Sequence, residues 1–314
     1  MRRRGLTYAV VTPTHDEERN LPQLAESLLA QKLLPLEWLI VDDGSRDSTL
    51  QFARRLVAQH SWIRLLEIPV AKGAVRGGPI VRSFNAGVRA ISSAPDVIVK
   101  LDADVTLPET YFEQLLEAFD HDERLGIASG SAFERQGGVW TQRFSTGTSV
   151  WGASRAYRST CLAEVSPLAE RMGWDAIDEH KAHTLGWRTE TFLDIPFFHH
   201  RGEGERDSSA RSAWRAQGSV SHFLGYRPSY LLFRTGFQAC RTPAALYMLV
   251  GYVTSALRRE ARCDDQAVVR RVREQQRLRH LVRRASEALG RSDERSQNRR
   301  LSGRARSASE RRSG

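Results

Sequence analysis

Along the first hundred residues the chain switches repeatedly between two patterns. Short runs that are apolar at almost every position, YAVVT (8–12), EWLIVDDGS (37–45), IRLLEI (63–68) and DVIVKLDADV (96–105), read as buried strands. Between them the apolar positions take helical spacing. Leu21, Leu24 and Leu28 share a face of 21–31, and Ser45 or Asp47 can cap a helix over 48–59. A Gly-rich loop, KGAVRGG (72–78), leads into a helix ending near Ile91, and PETYFEQLLEAF (108–119) has Pro at its first helical position. Such alternation predicts βαβ units, hence an α/β fold with a mostly parallel central sheet.

The second half is less regular. LGIASGSAF (125–133) predicts a strand, 149–165 a strand followed by a helix, and TETFLDIPFFHHR (189–201) another strand. GWDAIDEHKAHTLGW (173–187) predicts a polar-faced helix closed by Gly186. Residues 202–212 form a polar loop, helices follow over 213–224 and 229–257, and a basic amphipathic helix runs from 265 to 289. The segment 290–314 is Arg, Ser and Gly with few apolar residues, a composition that predicts disorder. The division expected is therefore a catalytic domain over 1–212 with halves 1–106 and 107–212, a helical extension over 213–289, and the tail.

Charge sharpens this picture at one end only. The formal net charge is +10, but residues 256–314 hold 18 Arg against 8 acids, which leaves 29 basic and 29 acidic residues in the rest. A nucleic-acid or membrane partner must therefore be argued from the C-terminal region. No aromatics interleave with those arginines, so nucleic acid is disfavoured as a partner. The basic amphipathic helix beside the apolar stretch 244–257 instead predicts contact with an anionic membrane surface through 243–289. That stretch of 14 residues is shorter than the roughly 20 needed to span a bilayer. Cys161, Cys240 and Cys263 are widely spaced, with no CxxC pair, so neither a disulfide framework nor a zinc site is indicated. The short apolar run near the basic N-terminus makes a poor signal peptide. The location expected is cytoplasmic, peripheral at the inner face of the membrane if the basic segment engages it.

Carboxylates stand at three of the four strand ends: Asp16 and Glu17, Asp42 and Asp43, Asp102 and Asp104. Asp is also a common turn residue, but three such ends at one edge of a parallel sheet mark the edge where ligands bind. In KLDADV, Asp102 and Asp104 are two apart and point the same way on an extended segment. Paired hard oxygens suit Mg2+ or Mn2+, and an ion held by one or two protein carboxylates takes its other ligands from substrate phosphates. A phosphate-bearing donor follows. With no P-loop and no GxGxxG, its phosphates must meet the metal and basic side chains, Lys72 or, better, Arg82. FFHHR (197–201) adds His199, His200 and Arg201 at another strand end as candidates for the metal or the diphosphate.

Taken together, VVTPTHDEERNL, WLIVDDGSRDST, the Asn85/Gly87 segment after GGPIVRS, and VKLDADV resemble the N-terminal blocks of family 2 glycosyltransferases with the GT-A fold, over roughly residues 7–201. That resemblance implies an inverting transferase using a nucleotide-diphosphate sugar of the UDP or GDP class and a glycan or lipid-linked acceptor, in cell-surface polysaccharide or glycolipid synthesis. It implies that Pro13, Thr14, His15 and Glu17 surround the nucleotide, with Asp43 on the base and Asp42 supporting the loop. Asp102 would contact ribose or metal, and Asp104 the metal. His15 departs from the family's usual Tyr. The general base is implied to come from Asp175, Asp178 or Glu179 in GWDAIDEHKAHTLGW; Asp175 and Asp178 are one helical turn apart, and Asp178 is favoured, then Glu179. Trp174 and Trp187 flank that helix, and WGASRAYR (151–158) is expected to wall the acceptor. Two other readings share parts of the pattern: a nucleotidyltransferase, whose first loop should be Gly-rich and basic where this one is acidic, and a non-catalytic membrane-associated sugar-binding module, against which the intact acids argue.

Overall fold

The computed structural model describes residues 5–70, 77–143, 149–201, 209–240 and 242–277. Nine strands form one sheet in the order β3-β2-β1-β4-β8-β6-β9-β5, with β7 paired to β6. They are β1 (Tyr8–Thr14), β2 (Glu37–Asp42), β3 (Ile63–Glu67), β4 (Val97–Leu101), β5 (Val105–Thr106), β6 (Leu125–Gln136), β7 (Val139–Gln142), β8 (Ser154–Arg158) and β9 (Arg188–His199). β1 is parallel to β2 and β4, and β2 to β3. β8 runs antiparallel to both β4 and β6, which restores the common direction for β6 and for its parallel neighbour β9. The sheet is thus mostly parallel, and the carboxyl ends of β1, β2, β4, β6 and β9 lie along one edge.

The first strands are apolar throughout because both faces are covered. Tyr8 and Val10, Trp38 and Ile40, Val97 and Val99 enter one core, with α1 (Leu21–Leu29), α2 (Thr49–Gln59) and α4 (Tyr111–His121). Their alternates Val11, Leu39, Val41 and Ile98 enter a second, with α3 (Gly78–Ala90), α5 (Ser159–Val165) and α6 (Trp174–Thr184). The period of two along a strand allots alternate residues to opposite cores.

Several boundaries differ from the sequence reading. β1 continues through Pro13 to Thr14; its pairing with β4 has ended at Val11, so the missing proline N–H breaks no rung there. The expected strand 96–105 is interrupted, because Asp102 to Asp104 form a turn between β4 and β5. The two acids therefore do not share one face of an extended segment. β6 runs on past 133 into a hairpin with β7, and the strand expected at 149 begins at Ser154. The loop that carries Lys72 lies outside the described residues, as does 290–314.

Beyond the sheet come α7 (Ala210–Phe223) and α8 (Pro228–Ala239), then a 3-10 turn (Pro243–Leu246), α9 (Tyr247–Leu257) and α10 (Gln266–Gln275). The helix expected over 229–257 is split where Thr242 takes an extended conformation before Pro243. α10 carries the start of the predicted basic amphipathic helix, but its apolar side is used inside the protein. Val268 and Val272 are buried with Ile177 of α6, Leu224 and Cys263. In the described part of 265–289, then, the apolar stripe packs on the catalytic region and does not face a membrane; the remainder lies outside the described residues.

Candidate active site

Adjacent parallel strands ending at Thr14 and Asp42 bring two loops together over the sheet edge. Asp42 builds the second loop: its Oδ2 accepts the N–H groups of Gly44 (3.0 Å) and Ser45 (3.1 Å), while Gly44 supplies the left-handed residue at φ 88°. The first loop is tied to it at several points. Asp16 donates its N–H to Ser45 Oγ (3.0 Å) and accepts that of Arg46 (2.7 Å), and Glu17 donates its N–H to Thr49 Oγ1 (2.7 Å). Asp42 and Asp16 are therefore spent on loop geometry. His15, Glu17 and Asp43 remain to face a cavity of about 370 Å3, whose wall also includes Pro13, Thr14, Asp102 and Arg201.

Asp43 is buried, with His15 Nδ1 2.7 Å from its Oδ1. Burial raises the Asp43 pKa against the opposing charges of His15 and Arg82. Arg82 donates to the Pro69 carbonyl and does not belong to the cavity wall, so it acts there through its charge. Glu17 Oε2 accepts from Arg201 Nη2 (2.6 Å) and Asn20 Nδ2 (2.6 Å).

The turn after β4 separates this cavity from another. Asp102 lines both; its carboxylate pairs with Lys100, a fully buried lysine that also donates to the Gly152 carbonyl (2.8 Å). Asp104 points to different partners, with His199 Nε2 at 3.4 Å and Arg201 Nε at 3.6 Å. His199 also reaches Glu134, with its Nδ1 3.4 Å from Oε1. Burial alone lowers the His199 pKa, but bonding to Asp104 and Glu134 raises it to about 9. Positive charge already faces Asp104 in the guanidinium of Arg201, with the His199 imidazole beside it. Among the described residues no group of three or more His, Cys, Asp or Glu side chains is arranged to hold a metal alone. Asp102 and Asp104 supply hard carboxylate oxygens, but each faces a different cation, Lys100 for one and His199 with Arg201 for the other, so a divalent ion here would need further ligands from donor phosphates. His200 turns away, its Nε2 2.8 Å from Thr106 Oγ1.

The second cavity, about 450 Å3, is lined by Trp151, Gly152, Ala153, Trp174, Asp175, Glu134 and His199 among others. Here the three candidate bases part company. Asp178 is buried in a two-pronged pair with Arg155, Nη2 to Oδ1 at 2.6 Å and Nε to Oδ2 at 3.1 Å, and also accepts from Tyr157. Burial pushes its pKa up to about 6, with Arg155 pulling the other way. Glu179 accepts the Val150 N–H (2.7 Å) and lies 3.3 Å from Arg155; burial pushes it up to about 7. Asp175 alone of the three lines the cavity. Trp174 contributes to the same wall with Lys100 and Arg155 above its ring, whereas Trp187 packs in the second core and bonds Glu164 (2.7 Å).

Arg155 was not singled out from the sequence. A lone Arg on a five-residue strand reads as an outward-facing side chain, yet it is fully buried and also donates to the carbonyls of Val150 (2.6 Å) and Asp175 (2.9 Å). Lys100, just before the acidic turn, carried a signal of a kind: a charge inside an otherwise apolar strand requires a buried partner.

A mostly parallel sheet with acidic loops at one edge and two cavities meeting at an Asp turn defines a transferase of the GT-A fold. The chain belongs to glycosyl transferase family 2, whose sequence profile matches residues 9–199. It is a glycosyltransferase. Over 279 residues it is 28% identical to the undecaprenyl-phosphate 4-deoxy-4-formamido-L-arabinose transferase of Pseudomonas fluorescens (strain SBW25), covering 80% of this chain and 73% of that one. Over 135 residues it is 29% identical to the dolichol-phosphate mannosyltransferase of Pyrococcus furiosus, covering 43% of this chain but 35% of that protein. Among solved structures it is similar to the mannosyltransferase PcManGT of Pyrobaculum calidifontis in complex with GDP-Man and Mn2+ (TM-score 0.52, 15% identity, 81% of this chain and 76% of that one). It also matches S. aureus TarS 1–349 in complex with UDP-GlcNAc (TM-score 0.52, 15% identity, 69% and 67%).

Proposed function

We propose that the protein transfers a sugar, with inversion, from a UDP- or GDP-class nucleotide-diphosphate sugar to a hydroxyl of a glycan or lipid-linked acceptor. The observation that carries this reading is the shared wall at Asp102: the cavity bounded by Pro13, Thr14, His15, Glu17 and Asp43 adjoins the cavity that presents Asp175. The nucleotide belongs in the first, with Asp43 on the base, and the acceptor in the second. Asp102 and Asp104 are the residues to hold Mg2+ or Mn2+, which when bound neutralises charge on the leaving diphosphate. Arg201, between Glu17 and Asp104, is placed to pair with the same phosphates, and His199 to orient Asp104.

Asp175 takes the proton of an acceptor hydroxyl as its oxygen attacks the anomeric carbon. The bond from that carbon to the diphosphate oxygen breaks, and its electron pair leaves with the nucleoside diphosphate. Attack from the face opposite the leaving group inverts the anomeric centre. Asp178 is assigned a positioning role: it takes no acceptor proton but holds Arg155, which donates to the Asp175 carbonyl and so fixes the α6 backbone. Relatives named for undecaprenyl-phosphate and dolichol-phosphate support a lipid-linked acceptor, and with it a site of action at the inner face of the membrane. No helix of the described residues is long and apolar enough to cross a membrane.

The test is a thermal-shift panel of UDP- and GDP-sugars with Mn2+. A donor at 100 times its Kd stabilises the fold by about 2.7 kcal/mol. One nucleotide class should raise the melting temperature clearly above the other. No shift with any member of either class at millimolar concentration would overturn the reading.

A further inference from the structure

α9 is amphipathic in the sense opposite to that of a soluble surface helix. Its inner side is Met248, Gly251 and Ser255, all buried. The two glycines Gly218 and Gly251 let α7 and α9 pack backbone to backbone: a Cβ on Gly251 would lie 1.9 Å from the Arg215 carbonyl oxygen, and one on Gly218 would lie 2.0 Å from that of Met248. Ser255 Oγ meets Ser219 Oγ at 3.1 Å across the same contact. The outer side, half a turn away, is Val250, Val253 and Leu257, preceded by Leu246, with exposures of 46, 51, 80 and 53%. The neighbouring α8 adds Leu232, Phe233 and Phe237, each more than half exposed. A helix on a globular surface normally turns its apolar side inward, and adjoining exposed apolar side chains of this size mark a surface that contacts something.

Charge identifies what it contacts. From 208 to 259 the sequence has seven Arg and no Asp or Glu, and 278–314 adds eleven Arg against four acids. A two-fold dimer through this face would set the seven arginines of 208–259 against their own copies, since such an interface brings one patch onto itself. An anionic bilayer offers the opposite sign and an apolar interior together. The eleven residues of α9 extend about 16 Å at 1.5 Å per residue, roughly half the hydrocarbon thickness. A helix of that length is too short to span a bilayer.

We infer that the outer face of α8 and α9 is a membrane-docking surface, with its Val, Leu and Phe side chains among the acyl chains and its arginines at the level of anionic headgroups. This assigns the contact to α8 and α9, not to α10, whose apolar side is occupied by α6. It rests on the membrane-side reading above for its purpose, but vesicle binding is measured without a sugar donor, so either can fail alone.

The full chain is floated with vesicles of phosphatidylcholine, and with vesicles in which about a quarter of the lipid is phosphatidylglycerol. The wild type should float with the anionic vesicles and at least about tenfold less with the neutral ones. Phe233→Ser combined with Val253→Ser should lower binding at least about tenfold, with the melting temperature and nucleotide binding unchanged because both side chains are already exposed. Should the double variant fold poorly, Leu257→Ser at the helix end should give the same direction of change. Wild-type binding by these variants overturns the inference. So does a wild type that ignores vesicles and sediments as a dimer that they dissociate, or binding that depends on 278–314 and not on the apolar face.

Discussion

Replacing Asp178 by Asn removes one charge from a pair in which both partners are buried. Deleting one member of such a pair costs about 3–5 kcal/mol, because the other charge is left without compensation. Arg155 would still have the carbonyls of Val150 and Asp175 as acceptors and Glu179 at 3.3 Å, which points to the lower end, about 3 kcal/mol. For a domain of this size that lowers the melting temperature by about 6–12 °C. Asp175→Asn is a different perturbation. Its carboxylate caps its own helix through the Ala176 N–H (3.0 Å), a bond that an amide oxygen can keep, so the melting temperature should move by no more than about 2 °C. Turnover should instead fall by about 10² to 10⁴, the loss expected when a general base is removed. Scanning calorimetry and initial rates on the two variants read both quantities. Well below its melting temperature, Asp178→Asn should retain turnover to within about tenfold. If Asp178→Asn melts like the wild type and is inactive while Asp175→Asn works normally, the assignment of roles on α6 is refuted.

Asp43→Ala should weaken nucleotide diphosphate binding by about 10- to 100-fold, the value of a hydrogen bond to a charged group, as measured by calorimetry. Unchanged affinity with a lowered melting temperature would make Asp43 a structural partner of His15. His183 gives a pH signature: burial, with a smaller push from Arg271, lowers its pKa to about 4, whereas a His in the unfolded chain titrates near 6.5. Below about 6.5 the unfolded state binds the additional proton, so stability falls as pH drops from there through about 4. His183→Gln, which can keep the bond to Thr189 Oγ1, should flatten that part of the stability curve, and an equal acid slope in the two proteins would contradict the assignment.

Local pattern carried the sheet a long way. Strands covered on both faces appear as unbroken apolar runs, and the acids that follow them mark their ends, so β1, β2 and β4 and the loops at Glu17 and Asp43 were legible. What escaped was set by partners far away in sequence. Asp175 and Asp178 are one turn apart and look equivalent on a helix, until Arg155 from β8 claims Asp178 and leaves Asp175 at the cavity. Asp102 and Asp104 look like a matched pair on a strand, but Lys100 takes one, while His199 and Arg201 of the distant β9 end take the other. The amphipathic helix near the C-terminus was visible as a pattern. Which side of it meets protein depended on α6, and the apolar surface left exposed belongs to α8 and α9, where Pro243 breaks what read as one helix.

The most direct measurement is the affinity for a nucleoside diphosphate, taken by calorimetry in Mn2+ and again in excess chelator, on the wild type and on Asp104→Ala. The wild type should bind at least about tenfold more tightly with Mn2+, and Asp104→Ala should lose that gain while still melting cooperatively. Equal wild-type affinity with and without metal, or a metal-dependent gain that survives in Asp104→Ala, would contradict the account.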